Sequence, residues 1–257
     1  MSSISVLNLN IMHGRNRKSA IFPLKVAREK VQFNLKKIAD LIREQNPEIV
    51  TLQEVDEFSM LSGRFNQLDF LAANLDYPYK YFAPSCSVTL LGRGIYISGN
   101  AIFSKYELIN CQSFCFDFSF PVDRMGFVVA DAKVSDTETI TIVSVHLVPY
   151  DWIRYKSREH ELKQVEKALI GKLNPMIISG DMNCNVLDKE DSLSSFVSRL
   201  GLKVFEPENE ALNTHPSRKP SKRIDWILPT KEIRIASYST LPNQVSDHLA
   251  IIANFTI

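Results

Sequence analysis

The hydrophobic residues of this chain repeat with two periods, and the changes of period mark out strands and helices. Ile4 to Ile11 alternates closely enough for a strand, which Gly14 ends. From Val26 to Gln45 the apolar residues Val31, Leu35, Ile38 and Ile42 recur every three or four positions, the pattern of an amphipathic helix. Asn46-Pro47 stops it, because the residue before a proline is pushed out of helical geometry. A short apolar strand from Glu48 to Gln53 and a helix near Gln67 to Leu75 follow. The stretch from Tyr79 to Leu147 is rich in aromatic and β-branched residues broken by turn signals. It predicts antiparallel strands near 79–84, 98–104, 109–118, 125–134 and 139–147. A helix at 155–173, a strand at 176–179, a helix at 193–200 and strands at 224–229, 233–239 and 249–256 complete the chain.

The two halves echo each other. Helix, Asn46-Pro47, apolar strand and Glu54 is answered by helix, Asn174-Pro175, apolar strand and Asp181. Each half thus predicts a sheet with a covering helix, with a carboxylate just past the end of a buried strand. Packing the sheets face to face would bring the two carboxylates together at one end. No glycine- or serine-rich linker intervenes, so residues 1–257 read as one domain.

Composition narrows the classes. Hydrophobic residues make up 45% of the chain, enough for a sizeable core. The net charge is +1, from 30 basic and 29 acidic residues, so no overall field draws the protein to nucleic acid or membrane. Basic residues do cluster locally, at Arg15, Arg17 and Lys18 and at Arg218, Lys219, Lys222 and Arg223. The four cysteines form no CxxC pair and have no neighbouring histidines, which argues against structural zinc. No run reaches the ~18 apolar residues of a membrane span, and no secretory leader pattern opens the chain. A cytoplasmic, monomeric protein with free thiols is the expectation.

Polar residues interrupt the apolar runs at particular places. Ser246-Asp247-His248 follows Arg223-Ile224-Asp225-Trp226 by about twenty residues. One carboxylate can orient the imidazole while the other holds a metal or a water. Glu54, after an apolar strand, suits a hard cation such as magnesium. In Gly180-Asp181-Met182-Asn183 alternation places a carboxylate and an amide on one side, to hold a water and a phosphate oxygen. His146 ends a strand, Asn10 ends another, and Asn100 begins a third. Read singly, each also fits a turn, a cap or a satisfied buried residue.

Together, and in this order, the stretches LNLNIMHG, LQEVD, GNAIFSK, VSVHL, SGDMN, RIDWIL and SDHLAI resemble the endonuclease/exonuclease/phosphatase superfamily, the deoxyribonuclease I-like fold. The resemblance covers nearly the whole chain without identifying a subfamily. It implies an α/β (α+β) four-layer α/β/β/α sandwich of two mixed, mostly antiparallel sheets, with the site at one end. It also implies roles. Asn10 and Glu54 would lie at a magnesium or manganese ion, with Asp247 nearby. Asp181 and Asn183 would position the attacking water and the phosphate. Asp225 would orient His248, and His146 and His248 would flank the scissile phosphate. Asn100 and Arg93 are candidate phosphate contacts.

The superfamily's motifs report chemistry rather than substrate. Nucleic acid is the leading expectation, on the strength of the basic clusters. A lipid or small phosphorylated molecule is the alternative; the aromatic run Phe114 to Phe120 offers it an apolar surface, although its alternation reads more simply as a strand with one buried face. A binding module without activity is the third, opposed by the presence of every polar motif residue.

Overall fold

A computed structural model describes residues 3–16, 26–90, 93–117, 125–149, 157–185, 192–207, 212–242 and 244–257, without the side chains of 86, 88–90 and 93–95. The predicted four-layer sandwich is present. One sheet holds β1 (Ser3–Asn10), β2 (Ile49–Ser59), β3 (Tyr79–Leu90), β4 (Arg93–Ser104), β10 (Arg234–Thr240) and β11 (Ile251–Thr256), in the order β10-β11-β1-β2-β4-β3. The other runs β5-β6-β7-β8-β9: Glu107–Cys115, Gly126–Lys133, Thr139–His146, Met176–Asp181 and Asp225–Pro229. Each sheet is antiparallel except for one parallel pair. These pairs, β1 with β2 and β7 with β8, are the two that enclose a helix, α1 (Arg28–Gln45) and α3 (Ser157–Leu169). The sequence echo is therefore a repeated βαβ unit, since parallel neighbours require a crossover.

Period decides which layer each residue enters. In α1 the buried residues Val31, Leu35, Ile38, Ala39 and Ile42 face Leu7, Leu9, Val50 and Leu52, and α2 (Gln67–Ala72) adds Leu68 and Leu71. Asn46 closes α1 in the left-handed conformation, φ 47°, with its N–H donated to Ile42 O at 2.8 Å. On the other side, Leu162, Val165 and Leu169 of α3 and Leu193 and Phe196 of α4 (Ser192–Leu200) cover Val143, Val145, Ile178 and Trp226.

Between the sheets the inward residues change character along each strand. In β1 they run Ile4, Val6, Asn8, Asn10; in β7 Ile140, Ile142, Ser144, His146; in β8 Ile177, Ser179, Asp181. Apolar residues fill one end of the inter-sheet space, and each fully buried Ile or Val stabilises the packing by ~1.5–3 kcal/mol. Towards the other end hydrogen bonds replace them. Thr51 Oγ1 meets Ser179 Oγ at 2.9 Å across the sheets. Gln53 Nε2 donates to Asn8 Oδ1 at 2.9 Å and to Ser144 Oγ at 3.0 Å. This polar layer is the floor of the cleft.

Three local expectations are corrected. β2 does not stop at Gln53: it continues to Ser59 through a bulge, where register shifts between Leu52 and Val55. Asn100 sits inside β4 rather than at its start. The chain leaves extended geometry after Asp181, because Asn183 is left-handed at φ 51°.

Candidate active site

The bulge in β2 creates the site's first feature. Without it, Glu54 would share the outward face of Val50 and Leu52. Instead Glu54 takes φ 57°, an uncommon conformation for a side chain of its size, and its carboxylate meets Asn10 across from β1. Asn10 Nδ2 donates to Glu54 Oε1 and to Asp181 Oδ2, both at 3.0 Å, and so ties the two sheets together at the cleft.

Asp181 lies at the centre. Its Oδ1 accepts the Asn183 N–H at 3.0 Å. Its Oδ2 faces His146 Nε2 at 3.7 Å and His248 Nε2 at 3.6 Å. His146 Nε2 is also 3.9 Å from Glu54 Oε1. His248 Nδ1 lies 2.8 Å from Asp225 Oδ2, which fixes the ring with Nε2 towards Asp181. Asp225 itself starts β9, opposite Asp181 in the β8–β9 register. Arg223 stacks 3.9 Å over the Trp226 ring, and Trp226 Nε1 donates to Cys184 O at 3.0 Å, so the start of β9 is firmly held.

Burial and neighbours tune these groups. Burial drives the Asp181 carboxyl above its ordinary value, and repulsion from Asp225 adds to this; the nearby imidazoles and the Asn10 amide offset only part of the rise. Burial alone would lower His248, but Asp225 and Asp181 outweigh it and hold the imidazole well above 6.5. Burial would likewise raise Glu54, yet His13, His146 and the Asn10 amide hold it below the usual carboxylate range.

The sequence candidates are not all brought to one point. Asn10, Glu54, His146, Asp181, Asp225 and His248 form one connected constellation. Asn183 is adjacent, but its Nδ2 is committed to Leu147 O at 2.8 Å instead of lying parallel to Asp181 as alternation suggested. Asn100 donates to Gly126 O at 2.8 Å and Ser144 O at 3.3 Å, bracing β4 against the second sheet, while its buried Oδ1 has no partner. Arg93 is placed in β4 opposite Leu90; its side chain lies outside the described part. Asp247 groups with His215 and His248, their ligand atoms within 4.8 Å of one another, and a second such group joins Asp181, Asp225 and His248. Glu54 belongs to neither group.

Two histidines had no expected role. His13, left-handed at φ 54°, puts Nδ1 2.8 Å from Asp56 Oδ1 and Nε2 3.2 Å from Glu54 Oε2. Burial opposes its charge, but Asp56 and Glu54 push its pKa to about 9. Asp56 also accepts from Ser62, and Gln67 Nε2 binds His13 O at 2.8 Å. His215 lies with its ring 4.8 Å from that of His248, and burial followed by His248 lowers its pKa. Its loop is pinned to the His248 turn by Ser217 N–H to Asp247 O at 2.7 Å and Leu249 N–H to Thr214 O at 2.9 Å. The only sequence signals were the spacing of His13 after Asn10 and of Asp56 after Glu54.

The model of the Endonuclease/Exonuclease/phosphatase family matches residues 29–248, most of the chain. The chain belongs to this family. Members of the family are generally hydrolases acting on phosphoesters. No curated protein matches the chain in sequence. Among solved structures, an endonuclease/exonuclease/phosphatase from Bacteroides vulgatus is similar over 100% of both chains, with a TM-score of 0.75 and 15% identity. The mannosyl-6-phosphatase Bt3783 of Bacteroides thetaiotaomicron gives 0.69 at 15% identity, covering 99% of this chain and 100% of its own. TDP2 from Caenorhabditis elegans gives 0.70 at 17% identity, over 100% of this chain and 75% of its own. At these identities the structures share the fold with this chain.

Proposed function

We propose that this chain is a divalent-metal-dependent phosphoester hydrolase whose substrate is a nucleic acid phosphodiester. The observation that carries the chemistry is the meeting of two imidazoles and an amide on one buried oxygen, Asp181 Oδ2. A carboxyl raised in this way is a better base at neutral pH than an ordinary aspartate. A histidine raised in this way is a cation and a donor. Asp181 therefore takes the proton of the attacking water, while His248, oriented by Asp225, donates to the phosphate or the leaving oxygen. His146 contacts the phosphate from the opposite side, and Asn183 holds the Asp181 loop.

The donor set fits a hard cation. Glu54 Oε1 accepts one hydrogen bond and Oε2 faces His13 Nε2, so both keep lone pairs free, and Asn10 and Asp247 offer further oxygens. Magnesium or manganese held there would neutralise phosphate charge and stabilise the charge that develops in the transition state. No described helix is long and apolar enough to cross a membrane.

For the substrate, the support is positional. Arg218, Lys219 and Lys222 are exposed on the loop pinned to the His248 turn, where a polyanionic backbone would pass. The similarity to a mannosyl-6-phosphatase along the whole of both chains, together with the near-neutral net charge, favours a second reading, a phosphatase of small phosphorylated molecules. Purified protein assayed with magnesium, manganese or EDTA against plasmid DNA, RNA, phosphoinositides, sphingomyelin and mannose 6-phosphate separates the two. Metal-dependent cleavage of nucleic acid that Asp181→Ala abolishes is expected. Turnover of small substrates alone would overturn the nuclease reading, and equal activity in EDTA would overturn the metal.

A further inference from the structure

We propose that the pocket between the 3-10 turn Met12–Gly14 and the N-terminus of α1 is an anion subsite that holds a second phosphate group of the substrate. The proposal rests on the phosphoester reading above. Its central observation is Arg15. The residue is only 4% exposed, its Nε is buried without a hydrogen-bond partner, and among the described residues no carboxylate pairs with it. A guanidinium taken out of water without a counter-charge is costly, so a buried unpaired arginine marks a place where an anion is missing from the protein itself.

The surroundings complete the site. Arg15, Asn16, Glu29, Lys30, Val31 and Phe33 line a pocket of about 340 Å³, large enough for a phosphate and part of what it is attached to. The first turn of the 18-residue helix α1 borders it through Glu29 and Lys30 and has no side-chain cap, since Ala27 is extended and supplies no side-chain hydrogen bond. Lys30 and Val31 donate to Ala27 O, at 3.1 and 3.2 Å. The Glu29 N–H has no acceptor among the described residues. A free amide donor, the positive end of a long helix dipole, a guanidinium whose buried Nε has no partner and a lysine all favour negative charge at this spot.

Position relates the pocket to the catalytic cleft. Arg15 stands two residues from His13, whose ring touches Glu54. Two residues of chain span at most about 7 Å, so the backbone of Arg15 lies close to that of His13 at the edge of the cleft. One group opposes the idea: the Glu29 carboxylate also lines the pocket. Glu29 is exposed, so its carboxylate can turn to water, where its repulsion is weak. It supplies a variant with the opposite expected sign.

The test uses metal-free full-length protein in EDTA, titrated with inorganic phosphate while backbone amide shifts are followed by NMR. The Glu29 and Lys30 amides should shift saturably. Arg15→Gln should weaken the dissociation constant about tenfold, Lys30→Gln by a few-fold, and Glu29→Gln should tighten it by a few-fold. Lys30 and Glu29 are exposed, so their variants keep the test decisive if Arg15→Gln fails to fold. No saturable shift at these amides, or unchanged affinity in the Lys30 and Glu29 variants, overturns the proposal. In hydrolysis, Arg15→Gln should raise KM about tenfold more for a 5′-phosphorylated dinucleotide than for p-nitrophenyl phenyl phosphate, and an equal rise for both overturns it too. A wild-type protein without hydrolytic activity would sink the phosphoesterase reading, while the amide shifts still decide the pocket.

Discussion

His248 depends on its neighbours for both its orientation and its charge. Asp225 accepts from Nδ1 at 2.8 Å, and its second buried oxygen has no partner. Asp225→Asn keeps the shape but can present an N–H where a carboxylate stood, which turns the ring to the wrong tautomer. The expected loss is about 10²–10⁴-fold in kcat, with KM changed by no more than about threefold and the melting temperature preserved. Steady-state kinetics beside thermal melts checks this. A variant that melts normally and turns over at the wild-type rate would remove Asp225 from the mechanism. Individual residues were also where the sequence was least informative. The pairing of Asp225 with His248 follows from the family resemblance, but the His13–Asp56–Glu54 chain does not. It requires left-handed backbone at both His13 and Glu54, and neither residue type announces that conformation.

Strands and helices were legible almost throughout, because their buried faces are apolar and periodic. β3 and β4 also run longer than read, to Leu90 and from Arg93, and two further exceptions share a cause. Where the inward face turns polar, alternation of hydrophobicity no longer reports the strand, so β2 and β8 read as ending short of Ser59 and Asp181. Close backbone contacts there are equally invisible in a pattern of side chains. Gly180 has φ 149°, and a Cβ on it would fall 1.8 Å from Val145 O. Gly180→Ala should force β7 and β8 apart and cost about 3 kcal/mol or more, read as a lower urea midpoint; a change under about 1 kcal/mol would show that the strands can shift to accept it. The far end of the same sheet carries a different dependence. Asp131 on β6 accepts from Asn110, Thr141 and Lys172. Burial would raise its carboxyl, but these partners together hold it below the ordinary value. A depressed carboxyl stabilises the fold fully above its unfolded pKa of about 3.9 and loses that contribution as pH falls towards its folded value. The stability gap between wild type and Asp131→Asn should therefore be constant near neutral pH and shrink below about pH 4. Urea titrations across pH 2–7 would show it, and a gap independent of pH would place the effect of the variant elsewhere.

The sandwich as a whole converts a gradient along its strands into a site: apolar packing holds the sheets at one end, and the polar residues left at the other converge. Architecture and the cluster around Asp181 were legible because Asn10, Glu54, His146 and Asp181 each end or follow a strand-like run, while Asp225 and His248 precede one and were picked out by the family resemblance. Substrate choice was not, since it depends on which loops rise beside the cleft and where their charges point. The two basic clusters illustrate this. Residue type does not say which charges reach solvent: Arg15 and Arg223 are buried, Arg218, Lys219 and Lys222 are exposed beside the His248 turn, and Arg17 and Lys18 lie outside the described residues. If that rim follows a nucleic acid backbone, binding releases counterions. Three phosphate contacts then set a slope of log affinity against log salt of about −2 on single strands and about −3 on duplex. Neutralising Arg218, Lys219 and Lys222 together should flatten the slope by that amount, and should leave hydrolysis of a small phosphodiester within about twofold of wild type. Fluorescence anisotropy between 50 and 300 mM salt measures the first and a chromogenic assay the second. An unchanged slope would take the rim out of nucleic acid recognition, and an equal loss on the small substrate would place these residues at the reacting phosphate itself.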